Sequence, residues 1–185
     1  MLAVLLAASL AAPVPKAKEV ELFYPTTVGT KRVVEIKRGI KTFEFTETVD
    51  KSDEKDGVHT VVVKLDKELL TYHVSSEGLS CHAQPCDEPM PELKLGLKEG
   101  ETWEHETKVK GAVARKTKYT LGKREEVTVA AGKFNAVRVE SETTVNGSVS
   151  KLTSWYAPGV GLVKTESGVG NQRVAQELKE FTPGK

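Results

Sequence analysis

Residues that build catalytic and metal centres are scarce in this sequence. The chain of 185 residues has two cysteines and four histidines, and the histidines are scattered singly. This distribution matches no zinc-binding spacing. No Gly-x-Ser-x-Gly segment is present to hold a serine nucleophile. The adjacent Glu125 and Glu126 would point to opposite faces of a strand, which excludes a carboxylate pair. We therefore expect no enzyme, metal or cofactor, and a hydrolytic enzyme stays as an alternative.

An excess of charge of either sign is also missing. The chain has 27 basic and 26 acidic residues, which gives a formal net charge of +1. This balance gives no reason to expect nucleic acid or an anionic membrane as a partner. After the first 12 residues, no stretch is apolar enough to form a transmembrane segment, so none is expected.

The one long uncharged stretch lies at the start of the chain, from Leu2 to Ala12. It is too short to span a bilayer, which needs about 20 residues. Pro13 and Lys16 follow it, as expected after the cleavage site of a secretory signal. We predict a signal peptide over residues 1–12 and a linker over 13–19. A buried N-terminal strand or helix is the alternative. No cysteine lies near the cleavage region, so we expect a soluble periplasmic or extracellular protein without a lipid anchor.

Apolar and polar residues alternate with a period of two through the rest of the chain. Phe43, Phe45 and Val49 form one such row, and Val137 and Val139 form another. This alternation is typical of antiparallel strands with one face on a core. Glycine-containing turns separate the rows. We predict an all-β domain over residues 20–182, with ten or eleven strands in a single large curved sheet or open barrel and little helix. A β-sandwich or a lipocalin-like barrel is the alternative.

The order of the glycine turns suggests an internal repeat. Similar turns recur in two possible meanders, residues 20–83 and 92–168, joined by the proline-rich stretch Gln84–Pro91. The intervals between corresponding glycines differ, so the repeat is not a fixed-period solenoid. A chance coincidence of turns explains the pattern equally well.

Cys81 and Cys86 flank the short segment His-Ala-Gln-Pro. Two cysteines this close in an exported chain are typical of a disulfide, which would contribute about 2 kcal/mol by closing so small a loop. Free thiols, or a metal site that recruits His82, are the alternatives.

Two segments near the C-terminus carry a resemblance to a known family: a strand that begins with Gly-x-Phe at Gly132 to Phe134, and a second strand ending in Trp155, Tyr156, Pro158 and Gly161. They resemble bacterial secreted domains of uncharacterised function near the lipoprotein-localisation-factor superfamily. The resemblance implies a curved antiparallel sheet in an incomplete barrel, whose concave side can hold an apolar ligand. A structural role suffices on its own, with the two aromatics packed beneath a Pro-Gly turn. Of these two, we expect Trp155 to face the core.

These patterns predict a non-catalytic extracytoplasmic protein that acts as an envelope interaction or structural module, with an envelope protein as its partner. The alternative is a carrier or sensor that binds a lipid or acyl chain on the concave face, where Phe134, Trp155 and Tyr156 would line the groove. The two functions differ in the interior, because a carrier should leave an apolar cavity of roughly a few hundred Å³.

Overall fold

Twelve antiparallel strands form one sheet in the computed structural model, which describes residues 20–66, 68–168 and 173–185. The strands are β1 (Lys31–Arg38), β2 (Lys41–Lys55), β3 (Val58–Leu65), β4 (Glu68–Ser75), β5 (Gly78–His82), β6 (Met90–Lys94), β7 (Thr102–Val109), β8 (Ala112–Val129), β9 (Gly132–Val145), β10 (Ser148–Ala157), β11 (Gly161–Ser167) and β12 (Val174–Thr182). None of the described residues is helical. Accordingly, no described helix has the length and hydropathy that a membrane crossing requires. The predicted signal peptide and linker, residues 1–12 and 13–19, lie outside the described residues.

The sheet curls into a nearly closed barrel. Its order is β6-β5-β4-β3-β2-β1-β12-β11-β10-β9-β8-β7. Strands β1 and β12, the first and last along the chain, therefore pair in the middle of the sheet. The two edge strands, β6 and β7, meet at a seam. There Asp87 N donates to Lys108 O at 3.0 Å, and Trp103 Nε1 donates to Pro91 O at 3.5 Å. The predicted all-β curved sheet is confirmed. It has twelve strands rather than ten or eleven, because β6 begins inside the stretch that we predicted to be a connection.

Tight hairpin turns lie where the sequence predicts them. Asp56 and Gly57 join β2 to β3 with φ angles of 53° and 76°, and Asn146 and Gly147 join β9 to β10 with 48° and 78°. Two consecutive residues with positive φ fit the twist of a two-residue hairpin, which explains the Asp-Gly and Asn-Gly pairs. The two predicted meanders, residues 20–83 and 92–168, contain β1–β5 and β7–β11, and their duplication stays a prediction.

The core has two parts. The first fills the barrel with buried residues from most strands and is closed at one end by Phe23 and Tyr24 of the N-terminal segment. The second lies where the end of the β8–β9 hairpin meets β12, and there Ala131 N donates to Leu178 O at 3.2 Å. Apolar burial in these clusters supplies the main stabilisation of the fold.

Two β-bulges alter which residues enter these clusters. Leu79 pairs with Leu93, but the next residue, Ser80, pairs with Pro91, so Glu92 is the extra residue on β6. On β11, Val163 is the extra residue opposite the step from Trp155 to Tyr156. A bulge bends its strand and redirects the side chains next to it.

Candidate functional site

A charged pair lies inside the barrel. Arg32 on β1 and Glu47 on β2 are direct cross-strand partners, and their side chains are 4% and 8% exposed. The Arg32 guanidinium donates to the Glu47 carboxylate and to the carbonyl of Leu162. It also lies 5.3 Å from the ring centroid of Tyr24, and its Nε has no hydrogen-bond partner among the described residues. A buried charge needs partners of this kind, because desolvation costs several kcal/mol per ion.

Tyrosines surround this pair. The rings of Tyr24 and Tyr72 stack with centroids 4.1 Å apart and an interplanar angle of 20°. Tyr156 is 5% exposed and belongs to the same cluster. Burial raises the pKa of all three phenols above its ordinary value. They are therefore hydrogen-bond donors at neutral pH, not bases or nucleophiles.

Glu92 brings a second carboxylate to the cluster from the bulge of β6. Burial, followed by the nearby Glu47 carboxylate, raises the pKa of Glu92 to about 7, while Arg32 and a hydrogen bond from Tyr156 act in the opposite direction. One guanidinium therefore faces two carboxylates, and Glu92 can hold or release a proton near neutral pH.

Cys81 borders the same cluster on β5. It is 4% exposed, and Tyr72 donates a hydrogen bond to its sulfur. Burial, followed by the charge of Glu92, raises the pKa of this thiol to about 12. A thiol of this kind is a poor nucleophile, because reactivity belongs to the thiolate.

The predicted disulfide is wrong in this structure, because Cys81 and Cys86 are both free thiols. Cys81 pairs with Tyr72 in the β4–β5 ladder and is buried in the core, whereas Cys86 lies beyond the end of β5 and is partly exposed. A hydrogen bond holds this connection in place of a disulfide, because His82 Nε2 lies 2.9 Å from the carbonyl oxygen of Cys86. No group of three or more histidine, cysteine or acidic residues able to hold a metal occurs in the described part of the chain.

The aromatic motif near the C-terminus is arranged in the opposite way to our expectation. Tyr156 is buried in the barrel, and Trp155 is only half-buried beside the second cluster. The indole Nε1 of Trp155 donates to Glu125 at 2.7 Å, and Lys164 Nζ lies 5.5 Å from its ring centroid. The face of β10 that carries Trp155 therefore has charged neighbours, and the other face enters the core.

The other motif residues have distinct positions. Phe134 packs against the second cluster, and Pro158 lies in the turn between β10 and β11. Gly161 has a φ of +88°, and a Cβ atom there would lie 2.7 Å from Cδ2 of Tyr24. The motif therefore supports the buried cluster through Tyr156 and Gly161 and does not line an apolar groove with Trp155.

Comparisons with known proteins agree with this architecture. A family model described as DUF3108-like matches residues 95–176, which run from the connection before β7 into β12. The comparison with curated proteins finds no match for the sequence.

Two crystal structures share the fold. One is a protein from Bacteroides fragilis, described as having a YmcC-like fold and inferred to be exported, with a TM-score of 0.62 and 15% identity over 88% of this chain and 99% of that one. The other is from Parabacteroides distasonis and is inferred to be a lipoprotein, with a TM-score of 0.52 and 15% identity over 89% of this chain and all of that one. The lipoprotein-localisation-factor resemblance stays a prediction.

Proposed function

We propose that this chain acts outside the cytoplasm as a non-catalytic envelope module that works through its surface. The observation that carries the proposal is the filled interior of the barrel. The stacked rings of Tyr24 and Tyr72 and the Arg32–Glu47 pair occupy the space in which a carrier would hold an acyl chain. An apolar ligand there would have to displace aromatic packing and contact buried charges, both of which are costly.

The extracytoplasmic location has two supports. The sequence predicts a signal peptide over residues 1–12, and the two structural neighbours are inferred to be an exported protein and a lipoprotein. The non-catalytic role is supported by the enclosed chemistry, because Glu92, Cys81 and the buried tyrosines face one another inside the barrel. A substrate would have to enter the core to reach Cys81 or the three tyrosines, all of which are buried.

Native mass spectrometry of the protein purified from its own envelope fraction tests this proposal. We expect the mass of the polypeptide alone, with the protein recovered outside the cytoplasm on cell fractionation. A retained lipid or acyl chain would refute the surface role and favour the carrier. Recovery in the cytoplasm would refute the location.

A further inference from the structure

The turns of the barrel divide between two ends. Because all neighbouring strands are antiparallel, the β1–β2, β3–β4, β5–β6, β7–β8 and β9–β10 turns lie together at one end, which we call the upper rim. The strand ends are staggered: the last residue of β3, Leu65, pairs with Glu47 in the middle of β2, not with its start. Tilted barrel strands require such a stagger. Phe23 and Tyr24 occupy the opposite end.

Exposed apolar side chains concentrate on one part of the upper rim. Among the described residues, ten large apolar side chains are exposed, and five of them flank the β1–β2, β7–β8 and β9–β10 turns: Ile40, Phe43, Val113, Val145 and Val149. Ile40 is fully exposed and Val149 is 60% exposed. We call these three turns the basic arc, for the charges described next.

Lysine and arginine accompany these apolar tips. Arg38 and Lys41 flank the β1–β2 turn, and Lys108 and Lys110 flank the β7–β8 turn. All four are exposed, and none forms a salt bridge within the described residues. Acidic residues of the upper rim include Asp87 in the β5–β6 connection, which meets the β7–β8 turn across the seam, and Glu166 near the end of β11, which pairs with Lys164 and Arg173. Of these, Asp87 already accepts backbone hydrogen bonds from Lys110 and Gly111 at 2.9 and 2.8 Å.

The outer face of strands β7–β10, which we call the outer wall, differs from the basic arc. Its acidic and basic side chains lie opposite one another on neighbouring strands. Glu106 pairs with Lys116 at 2.6 Å, Lys118 lies opposite Glu142 in the ladder, and Glu142 pairs with Lys151. The near-zero net charge of the chain therefore conceals an uneven distribution. The wall is self-neutralised, and the unpaired positive charge near the rim lies beside exposed apolar tips.

We propose that the basic arc docks on the surface of an anionic lipid bilayer, an inference that rests on the proposed extracytoplasmic surface role. The apolar tips are on separate hairpins at one end of the barrel, which suits an extended partner. Such tips bury apolar area at the headgroup boundary, while neighbouring lysine and arginine side chains attract anionic lipids. Separate apolar tips form no continuous apolar core of the kind that lies at the centre of a protein–protein interface.

Vesicle co-sedimentation of the full protein tests this inference, with phosphatidylcholine vesicles that contain or lack phosphatidylglycerol. We expect binding that requires the anionic lipid and weakens as salt is added. The double variant Ile40→Ser/Val149→Ser should reduce the vesicle partition coefficient about tenfold or more. Lys41→Gln/Lys110→Gln should reduce it and also flatten the dependence on salt.

Matched controls use exposed residues of the same kinds at the opposite end. Val28→Ser/Val58→Ser removes two exposed apolar side chains there, and Lys55→Gln/Lys98→Gln removes two exposed lysines. Both should bind vesicles like the wild type. Absent vesicle binding, or equal losses in rim and control variants, would overturn the inference. Rim variants that instead lose self-association or a soluble protein partner would also overturn it, while leaving the proposed surface role intact.

Discussion

Arg32 and Glu47 face each other across β1 and β2, and both charges are enclosed by the barrel. Both occupy inward-facing positions that their strands otherwise fill with apolar residues, Val34 on β1 and Val49 on β2. The pair therefore replaces two apolar side chains at the centre of a tyrosine cluster. Such a pair is weak evidence for added stability, but removal of one partner leaves an uncompensated buried charge.

Arg32→Met should destabilise the protein by about 3 to 5 kcal/mol, because Glu47 would stay buried without its cation. The double variant Arg32→Met/Glu47→Leu should recover most of this loss. Chemical denaturation measures both through the midpoint at unchanged slope. The control is Lys151→Met, which breaks the exposed pair with Glu142 and should leave the stability nearly unchanged. A double variant no more stable than Arg32→Met would contradict this account.

Glu92 should make the stability depend on pH. Its pKa is raised from 4.5 to about 7 in the folded protein. Between these two values the folded chain holds a proton that the unfolded chain releases, so unfolding becomes more favourable as the pH rises. The stabilising contribution is complete below pH about 4.5 and is lost as the pH passes about 7. Its size is on the order of 3 kcal/mol.

Glu92→Gln isolates this effect, because the amide stays neutral throughout. The free energy of unfolding of the variant should match the wild type near pH 4.5 and exceed it at pH 8. The difference between the two curves, measured by denaturation at several pH values, removes the contributions of other titrating groups. Parallel curves would show that Glu92 does not titrate in this range.

Tyr156→Ala should cost about 3 to 5 kcal/mol, because it opens a cavity in the barrel and removes the hydrogen bond to Glu92. Trp155→Ala should cost about 1 to 2 kcal/mol, since it removes partial packing and the hydrogen bond to Glu125. Denaturation midpoints rank the two variants. The reverse ranking would restore the expectation that Trp155 is the core residue.

The fold was predictable because strand alternation is a local property. Phe45 and Val49 identify the inward face of β2 from the sequence alone, whereas Phe43 of the same row is 53% exposed near the β1–β2 turn. The same row contained an overlooked signal, because Glu47 occupies a position in it that should be apolar. A charge on a core face indicates a buried partner, but the identity of that partner depends on strand pairing.

The rest of the site depends on features that alternation does not encode. Glu92 joins the cluster through a one-residue bulge on β6, directly after a proline-rich stretch that shows no alternation. The exchanged roles of Trp155 and Tyr156 have a similar origin, because adjacent strand residues face opposite sides and only the tertiary context decides which side is the core. The spacing of Cys81 and Cys86 allowed a disulfide. In the structure Cys81 is instead buried in the core beside its cross-strand partner Tyr72, away from the partly exposed Cys86.

Thiol labelling should distinguish the two cysteines. Cys86 is partly exposed and should react quickly with a thiol reagent in the native protein. Cys81 is buried and its pKa is raised to about 12, so it should react only when the chain unfolds. Protein isolated without reductant should therefore show one fast thiol when native and two in denaturant. No free thiol in denaturant would establish the disulfide instead.

A side chain at Gly161 should destabilise the protein by clashing with the Tyr24 ring. Gly159 serves as a control for the cost of backbone strain alone, because its φ angle is also positive. Both Gly159 and Gly161 have positive φ angles, +69° and +88°, so alanine at either should cost about 1 to 2 kcal/mol. At Gly159 a Cβ atom meets nothing within 4 Å, whereas at Gly161 it would lie 2.7 Å from the Tyr24 ring. Gly161→Ala should therefore cost about 1 to 3 kcal/mol more than Gly159→Ala.

Measuring both alanine variants in a Tyr24→Leu protein tests whether the Tyr24 ring causes the extra cost at Gly161. If the Tyr24 ring is its cause, Gly161→Ala should cost no more than Gly159→Ala once the ring is gone, and the double-mutant cycle should show coupling only for Gly161. Denaturation midpoints at unchanged slope give the four free energies that each cycle needs. An extra cost at Gly161 that persists without the ring would instead assign it to the backbone of the β10–β11 turn.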